Sequence, residues 1–346
     1  MPDRNPSLDR RDFLKIGGTA AAGMVTAAAV ATPARALPPL PENPETVKAM
    51  PTRNLGKTGY KVGIFSLGGQ AAVEKKDNEA VAVPIVEKAL DLGINYIDTA
   101  AFYGGGLSQT YIGQVMKRRR SEAFLATKTH DRTRDGALKL LDQSLQLLQT
   151  DHVDLWQLHN VSRMEEVDRI FGKGGAMEAL LEAREQKKVR YLGITGHADP
   201  EVLMEGLRRF NFDTILMALN AADPHHLSFI DKLLPMAVER QMGIIGMKIP
   251  ARGRILSTWT PPPVEEQKGF EGIAKTPGTI VMKDALYYVL SLPVSTVIVG
   301  CDSVAQLEEN VKFAREFTPL NQTQLASLTE KTSPVIRQAL FFRKWS

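Results

Sequence analysis

Short apolar runs alternate with longer amphipathic stretches along most of this chain. Eight runs rich in β-branched residues predict strands, at Gly63–Leu67, Tyr96–Thr99, Ala123–Lys128, Val153–His159, Tyr191–Thr195, Thr214–Asn220, Gly243–Ile249 and Thr296–Gly300. Apolar residues at helical spacing predict helices near Val83–Leu92, Leu107–Lys117, Asp135–Leu148, Gly175–Gln186, Pro200–Phe210, Leu227–Arg240, Thr279–Leu290 and Val304–Arg315. The strand runs carry few polar residues, which is typical of parallel strands that are buried on both faces.

The repeated succession of a strand and a helix predicts an α/β fold, a closed parallel (β/α)8 TIM barrel. An open, doubly wound sheet is the alternative. That fold normally has a glycine-rich phosphate turn after its first strand, and Leu67-Gly68-Gly69-Gln70 lacks the required spacing. A short hairpin with glycine-assisted turns is predicted at Asn54–Val62, before the first barrel strand.

The N-terminus has the composition of an export signal rather than of a folded element. Arg10-Arg11-Asp12-Phe13-Leu14-Lys15 precedes a weakly apolar run from Ile16 to Val30, and Ala34-Arg35-Ala36 follows as a small-residue cleavage site. This pattern predicts a twin-arginine signal, a periplasmic or otherwise exported location, and the twin-arginine export machinery as a partner. A mitochondrial presequence is the alternative, and the acidic residues near Met1 and the alanine-rich core argue against it.

The resulting domain prediction has four parts. Residues 1–36 are the signal, 37–52 a stiff proline-rich leader that should not pack, 53–318 the barrel and 319–346 a C-terminal tail. The apolar run of the signal is short and rich in Gly and Ala, so no stable membrane span is expected after cleavage. Whether the tail, with Phe341, Phe342 and Trp345, borders a pocket does not follow from the sequence pattern.

Bulk composition narrows the class of protein. A chain of 346 residues with 43% hydrophobic content can bury a large core, and a net charge of +4 with interspersed signs does not indicate nucleic-acid binding. The single cysteine, Cys301, excludes an internal disulfide and an all-cysteine metal site. No two histidines have helical metal-ligand spacing, so no metal site is predicted.

Four polar residues stand where barrel enzymes place their chemistry. Asp98, Lys128 and His159 end the second, third and fourth predicted strands, and Tyr103 lies on the loop after the second. A phenol with an ordinary pKa near ~10 is a weak acid, but a nearby ammonium lowers that pKa, and a carboxylate keeps the ammonium charged. The set therefore suits proton delivery to a carbonyl. Taken singly, these residues are equally consistent with a surface tyrosine, a solvated lysine, a helix N-cap at Asp98 and a structural histidine.

The wider motif pattern resembles the aldo-keto reductases from about Arg53 to about Phe313. The matching residues are Asp98-Thr99-Ala100, Tyr103-Gly104, Ser108-Gln109, Ile112-Gly113, Thr127-Lys128, Val153-Asp154-Leu155, Leu158-His159, Gly193-Ile194-Thr195, Ile298-Val299-Gly300, Gln306-Leu307 and Asn310. Within the part of the pattern from Asp98 to Gly113, one position departs, since Gln109 replaces the glutamate of the family. The resemblance implies that the hairpin closes the bottom of the barrel.

The resemblance also implies an activity and a cofactor. Hydride would pass from a nicotinamide to an aldehyde or ketone, Tyr103 would protonate the oxygen of this small carbonyl substrate, and His159 would donate a hydrogen bond to it. The positions that correspond to cofactor contacts are Thr195, Asn220, Met247, Gly253, Gly300, Ser303, Gln306, Glu309 and Asn310. Two residues depart from the family here, since Met247 replaces an aromatic residue that often stacks on the nicotinamide and Leu216 replaces a glutamine. The long connection Ala251–Gly278 either folds over the diphosphate or forms a proline-rich surface loop.

The sequence leaves alternatives open for both the cofactor and the function. The resemblance favours NADP, while Asp302 and Gln306 leave NAD open, because a carboxylate repels a 2′-phosphate and related chains often carry Arg at the second position. A non-catalytic, nucleotide-binding regulatory barrel of the same family is one alternative function, and a sugar-phosphate isomerase or lyase barrel is another. The physiological substrate is not encoded in a recognisable motif.

Overall fold

A closed barrel of eight parallel strands forms the centre of the molecule. The computed structural model describes residues 36–267 and 274–345, so the predicted export signal lies outside the described residues except for Ala36. The barrel strands are β3 (Phe65–Gly68), β4 (Tyr96–Asp98), β5 (Phe124–Thr129), β6 (Val153–Leu158), β7 (Val189–Gly196), β8 (Thr214–Ala218), β9 (Gly243–Met247) and β10 (Thr296–Val299). The predicted barrel is confirmed, and each strand end lies within two residues of its predicted position.

The strand order follows the chain, and closure joins its two ends. Strand β10 pairs with β3, with Val297 opposite Phe65, and also with β9, with Thr296 opposite Ile245. Nearly all barrel-strand residues are buried, because side chains on one face fill the barrel and those on the other pack under the helices. The carboxyl ends of all eight strands consequently open at one mouth.

Helices cover the outside of the barrel. They are α1 (Thr46–Ala49), α2 (Glu79–Asp91), α3 (Leu107–Arg119), α4 (Arg134–Leu147), α5 (Met164–Phe171), α6 (Ala176–Glu185), α7 (Pro200–Arg209), α8 (Leu233–Glu239), α9 (Met282–Leu290), α10 (Val304–Arg315), α11 (Gln322–Thr332) and α12 (Ile336–Ala339). None of the helices in residues 36–267 and 274–345 combines the length and the apolar content needed to traverse a bilayer.

The helices differ from the predictions in several places. Helices α1, α11 and α12 were not predicted, and two further differences have a local cause. The helix predicted to begin at Leu227 begins instead at Leu233, because the Asp223 carboxylate accepts the backbone N–H groups of Phe229 and Ile230 and holds a non-helical turn there. Helix α5 was not predicted. Its start is fixed by the Glu166 carboxylate, which accepts the backbone N–H groups of Ser162 and Arg163.

The N-terminal end of the described chain closes the bottom of the barrel. Strands β1 (Thr52–Asn54) and β2 (Lys61–Gly63) form the predicted antiparallel hairpin, and Leu55, Tyr60 and Val62 pack into the barrel interior against Phe124. The expectation that the proline-rich leader does not pack is wrong. Helix α1 lies within it, Met50 is buried, and the Asn43 amide donates to the Leu90 carbonyl at 2.8 Å, so polar and apolar anchors both fix the leader.

The C-terminal tail crosses the mouth of the barrel near β7 and β8. Its Arg343 side chain is fully buried in an ion pair with Asp223 and donates to the carbonyls of His197 (2.5 Å) and Ala218 (3.0 Å). The backbone N–H of Lys344 donates to the Ala198 carbonyl at 3.0 Å. The tail therefore borders the mouth, which the sequence pattern left open.

Candidate active site

The four predicted residues meet at the mouth of the barrel. Asp98 and Lys128 lie at the ends of the paired strands β4 and β5, and they form a buried ion pair. The Lys128 ammonium also donates to the Thr99 carbonyl at 2.7 Å and to the Tyr103 hydroxyl at 3.4 Å. The Tyr103 ring contacts the His159 ring edge-on, with centroids 5.5 Å apart. The tertiary structure thus assembles one acid–base cluster, the tetrad, from Asp98, Tyr103, Lys128 and His159.

Burial makes the tetrad different from a surface ion pair. Asp98 and Lys128 are 0% and 1% exposed, and Tyr103 and His159 are each 8% exposed. A charged group buried at this depth is tolerated only with a partner and further hydrogen bonds, which Lys128 and Asp98 supply to each other. The solvated-lysine and surface-tyrosine interpretations are therefore excluded.

The pKa of Tyr103 is shifted upward, in the direction opposite to the prediction. Burial raises the pKa of the phenol above its ordinary value; the Lys128 ammonium opposes that rise but does not outweigh it. Tyr103 is consequently protonated at neutral pH and holds the proton that a carbonyl oxygen would receive. For Lys128, burial acts to lower the pKa, but the charges of Asp98 and Tyr103 raise it further, so the net shift is upward and the side chain stays an ammonium.

His159 is neutral in this setting. Burial and then the positive charge of Lys128 hold the pKa of His159 well below its usual value. A neutral imidazole has one N–H and can donate a single hydrogen bond. The backbone of His159 is fixed on both sides, because its N–H donates to the Thr129 carbonyl at 2.8 Å and its carbonyl accepts from Arg132 at 2.8 Å.

Sequence reasoning missed a fifth residue that contacts the tetrad. The Gln157 side chain is fully buried inside the barrel and its amide donates to the free carboxylate oxygen of Asp98 at 3.3 Å. The two-residue period of a strand could have revealed it, since Gln157 is in phase with the inward-facing Leu155 and with His159. Asp98 therefore receives hydrogen bonds on both oxygens.

The substitution at Gln109 lies outside the tetrad. Its amide donates to the hydroxyls of Thr127 (2.7 Å) and Ser144 (2.8 Å), which joins α3 to β5 and α4 behind the barrel wall. A buried amide can supply these two donor bonds, which an ionised carboxylate cannot. The glutamine that replaces the family glutamate therefore has its own hydrogen-bond partners and does not contact the tetrad.

The predicted cofactor positions fall into two groups. Thr195, Asn220, Met247 and Gly253 lie at or just beyond the ends of β7, β8 and β9. The Thr195 hydroxyl accepts from the Asn160 N–H at 2.8 Å, and the Asn220 amide donates to the Ala339 carbonyl at 3.2 Å, so the tail is tied directly to this group. Met247 packs in the inner apolar cluster and is 5% exposed.

The second group surrounds the start of α10, and comprises Gly300, Ser303, Gln306, Glu309 and Asn310. Ser303 caps this helix by accepting the Gln306 N–H at 3.2 Å. Glu309 is exposed, whereas Asn310 is buried with its amide on the Cys301 sulfur at 3.6 Å. Asp302, expected to repel a phosphate, is paired with Lys75 at 2.7 Å, which offsets its charge.

The mouth carries a donor set that fits an anionic dinucleotide. Arg252 and Gly253 have left-handed φ values of 56° and 88°, and successive backbone N–H groups in such turns form anion-binding concavities. The N–H of the preceding Ala251 is already donated to the Lys248 carbonyl at 2.9 Å. The N-terminus of α10 is a second anion-attracting end. Gly300 allows close approach, since a Cβ there would lie 3.0 Å from the Gln70 backbone.

Only part of the long connection after β9 lies within the described residues. The Gln267 side chain joins its two described parts, because it donates to the Pro262 carbonyl at 2.8 Å and accepts from the Ala274 N–H at 2.8 Å. Trp259 packs against Gly253. Residues 268–273 are outside the described residues, and the prediction that this connection covers a diphosphate stays a prediction.

The fold and the buried tetrad define a class, the (β/α)8 barrel oxidoreductases with an acid–base cluster at the strand ends. Within it, this chain belongs to the aldo/keto reductase family, whose family model matches residues 61–333.

Known relatives agree with that assignment. L-galactose dehydrogenase of Arabidopsis thaliana is 31% identical over 295 residues, covering 79% of this chain and 90% of its own length. An uncharacterised oxidoreductase, YqkF, of Bacillus subtilis is 26% identical over 318 residues, covering 84% and 99%. The holo form of an aldo-keto reductase from Bacillus halodurans superposes with a TM-score of 0.67 at 27% identity, covering 82% of this chain and 96% of that one.

Proposed function

We propose that this protein is a nicotinamide-dependent oxidoreductase that reduces the carbonyl of a small aldehyde or ketone to an alcohol. The observation that carries the proposal is the contact between the Tyr103 hydroxyl and the Lys128 ammonium, at 3.4 Å inside a buried cluster that opens at the strand ends. Enzymes with this fold place their active sites at this end of the barrel.

Each residue of the tetrad has a distinct part in the proposed reaction. When bound, the nicotinamide supplies the hydride, which no side chain can provide. Tyr103 donates its proton to the carbonyl oxygen as negative charge develops there, and the Lys128 ammonium stabilises the phenolate left behind. Asp98 keeps Lys128 charged and aimed. His159, being neutral, donates one hydrogen bond that orients the carbonyl oxygen.

For the cofactor we propose NADP, with NAD as the alternative. The Lys75–Asp302 ion pair supports NADP, because it removes part of the repulsion that Asp302 alone would exert on a 2′-phosphate. Thr195, Asn220 and Met247 would hold the nicotinamide end. Ser303, Gln306 and Glu309 would flank the adenosine end.

The test of the proposed function is direct. Purified protein is titrated with NADPH and NADH, then incubated with a panel of aldehydes and ketones while oxidation of the reduced nicotinamide is followed by absorbance. We expect carbonyl-dependent oxidation with at least one cofactor. Tight nucleotide binding without turnover of any carbonyl would instead identify a regulatory barrel. Indifference to both nucleotides would favour an isomerase or lyase.

We also propose that the chain is exported through the twin-arginine route. Arg10→Lys together with Arg11→Lys is expected to retain the protein in the cytoplasm, because the adjacent arginines are the feature that the route reads. Cell fractionation followed by immunoblotting measures the distribution. Arg4→Lys, which changes a nearby arginine outside the pair, serves as the control. Continued export of the double variant would contradict the proposal.

A further inference from the structure

Lys248 has an unusual backbone conformation at the mouth of the barrel. It directly follows β9 and has a φ of 62°, in the left-handed region that residues other than glycine rarely occupy. Ala251 and Arg252, three and four residues later, share this conformation. Left-handed non-glycine residues concentrate at functional sites, where the surrounding structure holds them against their strain.

The ammonium of Lys248 reaches the segment that follows the first barrel strand, β3. It donates to the Gln70 side-chain carbonyl at 3.0 Å, and Gln70 in turn donates to both oxygens of Glu74 at 3.3 Å. Gln70 stands beside Gly300, since a Cβ at Gly300 would lie 3.0 Å from the Gln70 backbone. The cation is therefore placed between the two groups of predicted cofactor contacts, at the point that a connecting diphosphate would cross.

The charge of Lys248 is poorly compensated. Lys248 is half-buried, and its loss of solvation, followed by the charge of Arg252, lowers the pKa of its ammonium to about 7. The charged groups facing it are Arg252, Glu74, Lys128 and Asp98, and Lys248 in turn lowers the pKa of His159 and of His197. Across residues 36–267 and 274–345, no carboxylate forms an ion pair with its ammonium, in contrast to Lys128.

We propose that Lys248 binds the diphosphate of the nicotinamide dinucleotide and that its protonation sets the pH range in which this chain holds the cofactor. This inference rests on the proposed function. A compact ammonium is a suitable point charge for phosphate oxygens. A diphosphate would supply the negative charge that the site lacks.

The sign of the pH dependence follows from linkage. A diphosphate binds the protonated lysine more strongly, so binding raises the pKa of Lys248 above its value of about 7 in the free protein. The dissociation constant is then steady at lower pH, where the lysine is already charged. It rises by up to about tenfold per pH unit above that value, because a proton must be taken up before binding.

The experiment measures the Kd of NADPH and of NADH by quenching of protein fluorescence. Measurements run from about pH 6 to about pH 9, because this interval includes the ordinary pKa of histidine and the pKa of a lysine that is lowered below its usual value. In the wild-type chain the Kd is expected to rise about tenfold or more across that interval. Lys248→Met should bind about tenfold more weakly at the acidic end and show little pH dependence. Lys248→Arg should bind tightly throughout, because its guanidinium stays charged.

Two controls isolate the effect. Lys188→Met removes a half-buried lysine that pairs with Asp142. Lys188 directly precedes β7 and so lies at the end of the barrel opposite the mouth, and this variant should match the wild type at every pH. Reduced nicotinamide riboside, which has no phosphate, should bind all variants with no lysine-dependent pH effect. Circular dichroism establishes that each variant is folded.

The proposal is overturned if Lys248→Met keeps the wild-type Kd and pH profile. If Lys248→Met does not fold, Lys248→Arg alone tests the proposal. The proposal is then overturned if the Kd of Lys248→Arg changes with pH as it does in the wild type. Failure of the proposed function looks different. A chain that binds NADPH in the expected pH-dependent way but turns over no carbonyl would reject the reductase and retain the role of Lys248.

Discussion

Replacing Tyr103 by phenylalanine is expected to lower kcat/KM for carbonyl reduction by about 10²- to 10⁴-fold, the range that a positioned general acid contributes. The substitution removes only the hydroxyl that would carry the proton. The Lys128 ammonium keeps its bonds to Asp98 and to the Thr99 carbonyl, so the fold and the cofactor site should persist. Steady-state kinetics with the best substrate of the carbonyl panel measures the loss, and nucleotide titration should give an unchanged Kd.

Tyr111→Phe is the matched control for that substitution. Tyr111 is also a buried tyrosine, and its hydroxyl donates to the Lys75 carbonyl at 3.2 Å on the outer side of the barrel. The Tyr111→Phe variant also loses a phenolic oxygen, but that oxygen does not contact the tetrad. This variant should therefore keep a kcat/KM close to that of the wild type. Undiminished turnover in Tyr103→Phe would reject Tyr103 as the proton donor and, with it, the proposed mechanism.

Arg343→Met is expected to lower the free energy of unfolding by about 3–5 kcal/mol, the usual effect of removing one partner from a buried ion pair. Both side chains of the Arg343–Asp223 pair are 0% exposed. Without the guanidinium, the Asp223 carboxylate is left buried with only neutral donors, among them Ser228 at 2.9 Å. Urea unfolding followed by circular dichroism measures the change in free energy.

Arg337→Met provides the comparison on the same tail. The Arg337 guanidinium lies 4.8 Å from the centroid of the Trp345 ring. Removing this cation–π contact should lower the free energy of unfolding by about 1 kcal/mol or less, which is well under the value expected for Arg343. Asp223→Asn tests the partner and should be destabilising too, since burial of Arg343 would then lack its counter-charge. A change below about 1 kcal/mol for both members of the pair would contradict the view that it anchors the tail.

The anchored tail also shapes the entrance of the site. Phe342, next to Arg343, contacts the His197 ring with centroids 6.0 Å apart, and the His197 imidazole bonds Asn160 at 2.8 Å. On the opposite side, the exposed Phe102 meets His130 edge-on at 5.7 Å. Loss of the Arg343–Asp223 pair is therefore expected to disturb one wall of the mouth as well as overall stability.

The sequence by itself determined the barrel and most of its chemistry. Each strand carries its own signal, a short β-branched run, and each helix its own spacing of apolar residues, so both are local properties of the chain. Because parallel strands of a closed barrel all end at one mouth, placing Asp98, Lys128 and His159 at strand ends was enough to bring them together. The same reasoning, with the two-residue strand period, could have added Gln157.

Only the tertiary structure decided which buried charged and polar groups pair with one another. The Arg343–Asp223 pair and the Lys248–Gln70 hydrogen bond join residues that are 120 and 178 positions apart, and no local pattern specifies such partners. The packed leader at α1 likewise depends on a surface formed by distant residues. The upward shift of the Tyr103 pKa has the same origin, because burial is set by all the neighbours of a group, whereas the sequence showed only the nearby cation.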